Sequence, residues 1–376
     1  MIRRRAVLLR FRRWLHRSIA FLLVVVALIW VLAPQFFVLV PEGFPQPVWP
    51  APGRHALVAG VSDPTQPPAG MAPPHAAEIR FAQSDGRALL VENAGRLTIE
   101  AYGAGLDRET RLNSYSLVKG LVGALVLRGV ADGKIASLDT PVRTILGPDA
   151  PDITVKEALL MTSGLAPEGD WDKPVEDAGF SPFGPLARIH AYGVDDSLAQ
   201  LHVDEGRRGH FSYQSANTAI LGRLLERVYD LPLEQLLSEM IWKPAGAAGA
   251  HWRQYPDGSG VSAYCCLYAR PLDWMRVGRF LMDNGTADQP FLPSAMWQEF
   301  IMPPLPTTER AQGVYGLHVR HDVLDRAEAR TQGPFAYFLG HGGQVLYILP
   351  DQNSIVVRFG AHQQLLHSTL YELFED

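Results

Sequence analysis

The chain of 376 residues has only two cysteines, Cys265 and Cys266, and they are adjacent. Neighbouring cysteines pair only in a strained ring, so no disulfide framework is available and the fold must stand on its core. Reduced, packed thiols are the expectation, since a metal or redox role needs further ligands or a Cys-x-x-Cys spacing. There is no His-Glu-x-x-His, which removes the signature of zinc-peptidase chemistry. His190, His202 and His210 lack ligand-like spacing and read as core or solvated histidines. There is no Gly-x-Ser-x-Gly, the nucleophile elbow that an α/β-hydrolase requires. Neither sign of charge dominates: 34 Lys and Arg face 39 Asp and Glu, so there is no basic footprint for nucleic acid. Internal repeats are absent as well.

What the chain does have begins at its N-terminus. Arg3, Arg4, Arg5, Arg10, Arg12, Arg13 and Arg17 precede an uncharged run from Ile19 to Val40. About 20 apolar residues cross a bilayer, and arginines on one flank keep that flank in the cytoplasm. A cleaved signal peptide is the competing reading, but its apolar core runs only about 7–15 residues. We therefore expect a basic cytoplasmic segment (1–18) and a single-pass signal anchor (19–40) in the inner or cytoplasmic membrane. Everything after the anchor should lie in the periplasm or outside the cell. Ten prolines between Pro41 and His75 predict an extended linker without regular structure, 41–75. The globular domain then occupies 76–376.

Within that domain, Ala88–Tyr102 reads as a hairpin around Asn-Ala-Gly. From Ser116 the period turns helical through SLVKGLVGALVLRGVADG, TVKEALLMTSG, NTAILGRLLERVYD and LEQLLSEMIW. Strands return in FAYFLG, QVLYILP and SIVVRFG, and a last amphipathic stretch, HQQLLHSTLYELF, reads as a helix. Strands at both ends and helices between them predict an α+β fold. One antiparallel sheet pairs the chain's two ends, a mainly helical lobe is inserted, and a cleft lies where the two meet.

Ser116 and Lys119 lie three residues apart, so on a helix they share a face. Asn113 or Ser114 would cap that helix, with Ser116 in its first turn. Serine is a weak nucleophile until a base takes its proton. An amine packed in an apolar helix suits that task, because loss of water disfavours its charged form. Alone, Ser-x-x-Lys recurs by chance, and a capping serine with a snorkelling lysine explains it equally well. Two further stretches alter that balance. In HFSYQSANTAILG, Tyr213 and Ser215 stand on a loop entering an apolar helix. In YFLGHGGQVLYILP, His341, Gly342, Gly343 and Gln344 open a buried strand. Taken singly, the first is a half-buried tyrosine and the second a tight turn.

With the order Ser-x-x-Lys, Tyr-x-Ser, His-Gly-Gly, the chain resembles the serine hydrolases of the class C β-lactamase type. That group includes D,D-peptidases, β-lactamase-like esterases and 6-aminohexanoate-oligomer hydrolases. The likeness runs from about Ala88 to Gly360 and includes LDTPV, ITVKEALLMTSGL and RPLDWMRVGRFLMDNG. It implies a β-lactamase/transpeptidase-like fold with Ser116 as acylated nucleophile, Lys119 as its base or proton relay and Tyr213 as proton shuttle. Ser215, His341, Gly342, Gly343 and Gln344 would then line the substrate, with the N–H groups of Ser116 and Gln344 forming an oxyanion hole. Ser215 stands where many relatives carry asparagine, and His341 where β-lactamases carry lysine. The resemblance thus favours an esterase or small-amide hydrolase over an efficient β-lactamase. It implies a small-molecule ester, amide or peptide substrate and neither metal nor organic cofactor. A silent relative that binds cell-wall peptides or a protein partner is the alternative. Trp171, in EGDWDKP, is a candidate cleft residue, with surface packing as its plain reading.

Overall fold

The computed structural model describes residues 2–165, 184–304, 314–362 and 366–374. Helix α1, Ile2–Leu32, includes a predominantly apolar stretch, Phe11–Leu32, which holds Arg12, Arg13, His16 and Arg17 near its start and has no buried residue. At 1.5 Å per residue, such a helix is long enough to cross a bilayer. The expected segment 19–40 is not one helix, however. Pro34 has no N–H to continue the ladder, so α1 stops at Leu32 and a short helix, α2 (Gln35–Leu39), follows. Ala33 and Gln35 are buried.

The linker also differs from expectation. Residues 54–58 form strand β1 (Arg54–Val58), which pairs antiparallel with β5 (Ala250–Gln254). That sheet continues through β6 (Leu267–Ala269) to β4 (Leu112–Asn113). The prolines leave Arg54–Val58 free of ring constraints, and edge pairing needs only a short run of N–H and C=O groups.

Helix α3 (His75–Gln83) leads into β2 (Gly86–Asn93) and β3 (Arg96–Tyr102), the hairpin expected from sequence. Its turn residues Ala94 and Gly95 both have positive φ, which matches the twist of the flanking strands. The middle of the chain is helical: α4 (Lys119–Ala131), α5 (Arg143–Leu146), α6 (Val155–Leu160), α7 (Pro185–Tyr192), α8 (Ser215–Tyr229), α9 (Leu233–Leu237) and α10 (Pro271–Met282). A Thr154–Glu157 capping box opens α6. A small ribbon, β7 (Gly285–Thr286) with β8 (Gln289–Pro290), and α11 (Ser294–Ile301) follow. The chain ends in β9 (Val314–Gly316), β10 (Val319–Leu324), β11 (Gly333–Gly340), β12 (Gln344–Leu349), β13 (Ser354–Gly360) and α12 (Leu366–Phe374).

The large sheet has the order β3-β2-β13-β12-β11-β10-β9. β2 pairs antiparallel with β13, so the two ends of the domain do close one sheet, with the helical lobe inserted between them. Helix α10 covers one face. Helices α3 and α12 meet on the other, tied by the Arg80–Glu372 ion pair and a smaller core containing Leu89, Val91, Tyr347 and Leu370.

Helix α4 is buried along almost its whole length and packs against α8, so it is the axis of the main core. The 3₁₀ turn that precedes it, Tyr115–Val118, reaches β11 and β12, where the lobe meets the sheet.

Candidate active site

Ser116 lies in a 3₁₀ turn, Tyr115–Val118, that runs straight into α4. Neither Asn113 nor Ser114 caps α4 in the expected sense. Instead the Asn113 side-chain carbonyl accepts from the Tyr115 N–H at 2.8 Å, and the Ser114 hydroxyl accepts from the Leu267 N–H at 3.1 Å. Tyr115, just before the nucleophile candidate, has φ +45°, a conformation costly for a bulky residue and typical of strained functional turns. The turn is pinned on both sides and lifts Ser116 to the surface, where it is partly exposed.

Lys119 is 2% exposed. Its Nζ donates to Ser116 Oγ at 2.9 Å and to the Tyr264 carbonyl at 2.8 Å. The same nitrogen lies 5.0 Å from the centre of the Tyr213 ring. The structure therefore gathers the three residues that the motifs singled out, with the amine shielded and the hydroxyl accessible.

Tyr213 is carried by the loop entering α8, and Ser215 is that helix's first residue. The loop is held by Met161, which ends α6 in a left-handed conformation. The Met161 carbonyl accepts from the Ser212 N–H at 2.8 Å, and its sulfur accepts from the Gln214 N–H at 3.4 Å. Thus the segment ITVKEALLMTSGL serves to place the tyrosine.

The third stretch forms the turn between β11 and β12. Gly340 has no room for a side chain: a Cβ there would lie 2.3 Å from the Ser114 carbonyl oxygen. Gln344 ties the turn to β13, donating to the Gly360 carbonyl at 2.8 Å and accepting from its N–H at 2.9 Å. His341 is exposed, and its ring meets the Tyr115 ring edge-on, with centroids 5.5 Å apart. Gly342 and Gly343, both with positive φ, turn the chain back into β12.

Four contributors were missed by the sequence reading. Tyr264 holds Lys119 through its carbonyl, and its hydroxyl meets His190 Nδ1 at 2.7 Å. Its only sequence signal was its place beside the cysteine pair. His318 bonds Thr218 Oγ1 at 2.9 Å and the Leu159 carbonyl at 2.8 Å. Burial, with a smaller effect from the nearby Lys119 charge, pushes this imidazole down to about 3. Arg358, in SIVVRFG, sends its guanidinium to the Gly342 and Gly343 carbonyls at 3.0 and 2.6 Å, bracing the glycine turn from below. Burial lowers it to about 10. An arginine in an otherwise apolar strand was a usable signal. Met161, described above, gave none.

His190 is buried and His202 and His210 are exposed, as core or solvated histidines would be. Trp171 falls outside the described residues. The expectation of reduced thiols is corrected: Cys265 and Cys266 form a disulfide, with Cα atoms 3.7 Å apart. The loop makes this possible, since Cys266 adopts φ +71° and the Cys265 N–H is held by the Ser262 carbonyl at 3.0 Å.

The Beta-lactamase family model matches residues 76–366. The 6-aminohexanoate-dimer hydrolase of Paenarthrobacter ureafaciens is 27% identical over 235 residues, 60% of this chain and 59% of that protein. A Bacillus subtilis (strain 168) protein provisionally named penicillin-binding protein PbpX is 27% identical over 185 residues, 46% of this chain and 42% of that one. The chain thus spans about half the length of these curated relatives. Among solved structures, a protein provisionally named 6-aminohexanoate-dimer hydrolase, from Bacillus anthracis, superposes with a TM-score of 0.70 at 18% identity. That match covers 86% of this chain and 90% of the other. It is a likeness of fold. The chain belongs to the beta-lactamase family.

Proposed function

We propose that this hydrolase-family protein is a serine hydrolase that cleaves an ester or amide bond through an acyl-enzyme on Ser116. The observation that carries the reading is the 2.9 Å contact between a partly exposed hydroxyl and a buried amine. Run in reverse, with the neutral amine accepting the hydroxyl proton, that contact is the activation a serine needs. The Ser116 oxygen then bonds to the substrate carbonyl carbon. The resulting oxyanion sits at the N-terminal end of the 3₁₀ turn and α4, where the Ser116 and Gln344 N–H groups would receive it. One such donor typically contributes about 10²–10³ in rate. Collapse breaks the bond to the leaving group, which takes its proton by way of Lys119 and Tyr213. Water, deprotonated by the same pair, attacks the ester and releases the acid and Ser116.

Small-ester or small-amide substrates are favoured by His341. It stands exposed at the rim against Tyr115, where a β-lactamase of this type would carry lysine. Two features support a membrane-anchored domain facing the periplasm or exterior: α1, whose arginines all lie N-terminal to its uncharged run, and a disulfide suited to an oxidising compartment. The test is a substrate panel of p-nitrophenyl esters, aminohexanoate dimers, D-Ala-D-Ala peptides and nitrocefin. Wild type should turn over the esters or dimers most rapidly, and Ser116→Ala should turn over none. Equal rates for the two proteins would overturn the assignment.

A further inference from the structure

Just beyond α2, Glu42 reaches into the domain. Its two carboxylate oxygens accept from Nε and Nη2 of Arg253 on β5, the latter at 2.6 Å. The Arg253 side chain is 2% exposed and that of Glu42 is 11% exposed, so this is a largely dry ion pair. The same guanidinium donates to the Ser262 hydroxyl at 2.7 Å and to the His190 carbonyl at 3.0 Å. These two residues flank Tyr264. Ser262 begins its turn, and His190 meets its hydroxyl at 2.7 Å. Tyr264 in turn offers its carbonyl to Lys119 at 2.8 Å.

The residues after Glu42 touch the other side of the site. The Pro45 carbonyl accepts from the Tyr115 hydroxyl at 3.2 Å, and the Pro47 carbonyl accepts from the Asn113 N–H at 2.9 Å. The Gln46 carbonyl accepts from Asn113 Nδ2 at 2.9 Å and from the Tyr268 hydroxyl at 3.0 Å. One short segment beside the apolar helix therefore braces both the turn that presents Ser116 and the loop that holds Lys119.

We propose that Glu42 is a positioning residue of the hydrolytic site. It acts through Arg253, His190 and Tyr264 on the placement of the Lys119 amine, so the juxtamembrane segment is part of the active site and not a tether. The proposal rests on the serine-hydrolase reading above. Without the carboxylate, Arg253 keeps its charge in a dry site and must draw on other acceptors, at the expense of His190 and Ser262. A displacement of about 1 Å at a reacting group is enough to cost on the order of 10²-fold in rate.

The test uses the full chain in detergent micelles. A fluorophosphonate driven to completion counts competent sites, so kcat and KM for a p-nitrophenyl ester are expressed per labelled site. Glu42→Gln should lower kcat about tenfold or more while KM stays within about twofold, the pattern of an interaction used in the transition state. Glu42→Asp, which keeps the charge, should recover a part of that loss. In a Tyr264→Phe background the Glu42→Gln change should cost less than about threefold, because the link between them is already cut. If Glu42→Gln folds poorly, Ser262→Ala supplies the milder break and should lower kcat per labelled site about threefold. Wild-type kcat per labelled site in Glu42→Gln, or full additivity with Tyr264→Phe, overturns the proposal even if the melting temperature falls. A wild-type protein that takes no label overturns the serine-hydrolase reading instead, which keeps the two failures apart.

Discussion

Gly340, at the end of β11, lies so close to Ser114 that a Cβ added to it would stand 2.3 Å from the Ser114 carbonyl oxygen and 3.3 Å from the Leu117 nitrogen. The glycine before His341 thus sets how closely the sheet approaches the turn that carries Ser116. Gly340→Ala should push β11 away from that turn, lowering stability by about 1–3 kcal/mol. It should also lower kcat more than tenfold. Urea denaturation and ester turnover measure the two effects. Unchanged activity would mean that the contact is packing alone.

Lys119 is buried among apolar residues of α4, so its amine is costly to keep unless it is used. Lys119→Met keeps length and apolar contact but removes the nitrogen. We expect kcat to fall about 10²–10⁴-fold, the usual contribution of a positioned base. Stability should be unchanged or higher, since a group with a desolvation cost has gone. A large loss of stability with activity retained would instead make Lys119 a structural residue.

His341 and Ser116 should respond differently to removal. His341 is exposed at the rim, whereas in the proposed mechanism Ser116 is the residue that forms the bond. Ser116→Ala should abolish turnover of every substrate. His341→Ala should shift kcat/KM unevenly across esters and amides, by about tenfold between the best and worst affected. Uniform loss in both variants would place His341 in the chemistry itself.

Acid should destabilise the fold through histidines buried in neutral form. Burial lowers His318 to about 3 and His321 to about 4, and puts His190 well below its ordinary range, against 6.5 in the unfolded chain. Between those values the unfolded state binds protons that the folded state refuses, so stability falls as pH drops below about 6.5. Above that range these groups contribute nothing to the pH dependence. Denaturation midpoints at pH 7.5 and 5 should differ by an amount equivalent to a few kcal/mol. His321→Gln should narrow that gap. Equal midpoints would contradict the neutral burial of these rings.

The sequence disclosed most where a local pattern had a single physical solution. Asn93, Ala94 and Gly95 announced the hairpin, and the apolar periods announced α4 and α8, because a turn or a buried helix is written in contiguous residues. The three motifs were legible as a set by their order. What brought Tyr264, His318, Arg358 and Met161 to them was tertiary packing, which leaves no periodic trace. The 41–75 region misled for a related reason. Proline count predicts the absence of helices, but it does not register β1, a five-residue stretch spared by the prolines, nor a carboxylate that finds a buried arginine more than two hundred residues away. The cysteine pair misled because ring closure depended on one left-handed residue, Cys266.

The most direct test of the account is whether Ser116 becomes covalently acylated or phosphonylated. Intact-protein mass spectrometry after fluorophosphonate treatment, followed by peptide mapping, should show one adduct located on Ser116. The adduct should be absent in Ser116→Ala and form at least about 10²-fold more slowly in Lys119→Met. An adduct elsewhere, or none on a folded wild-type protein, would contradict it.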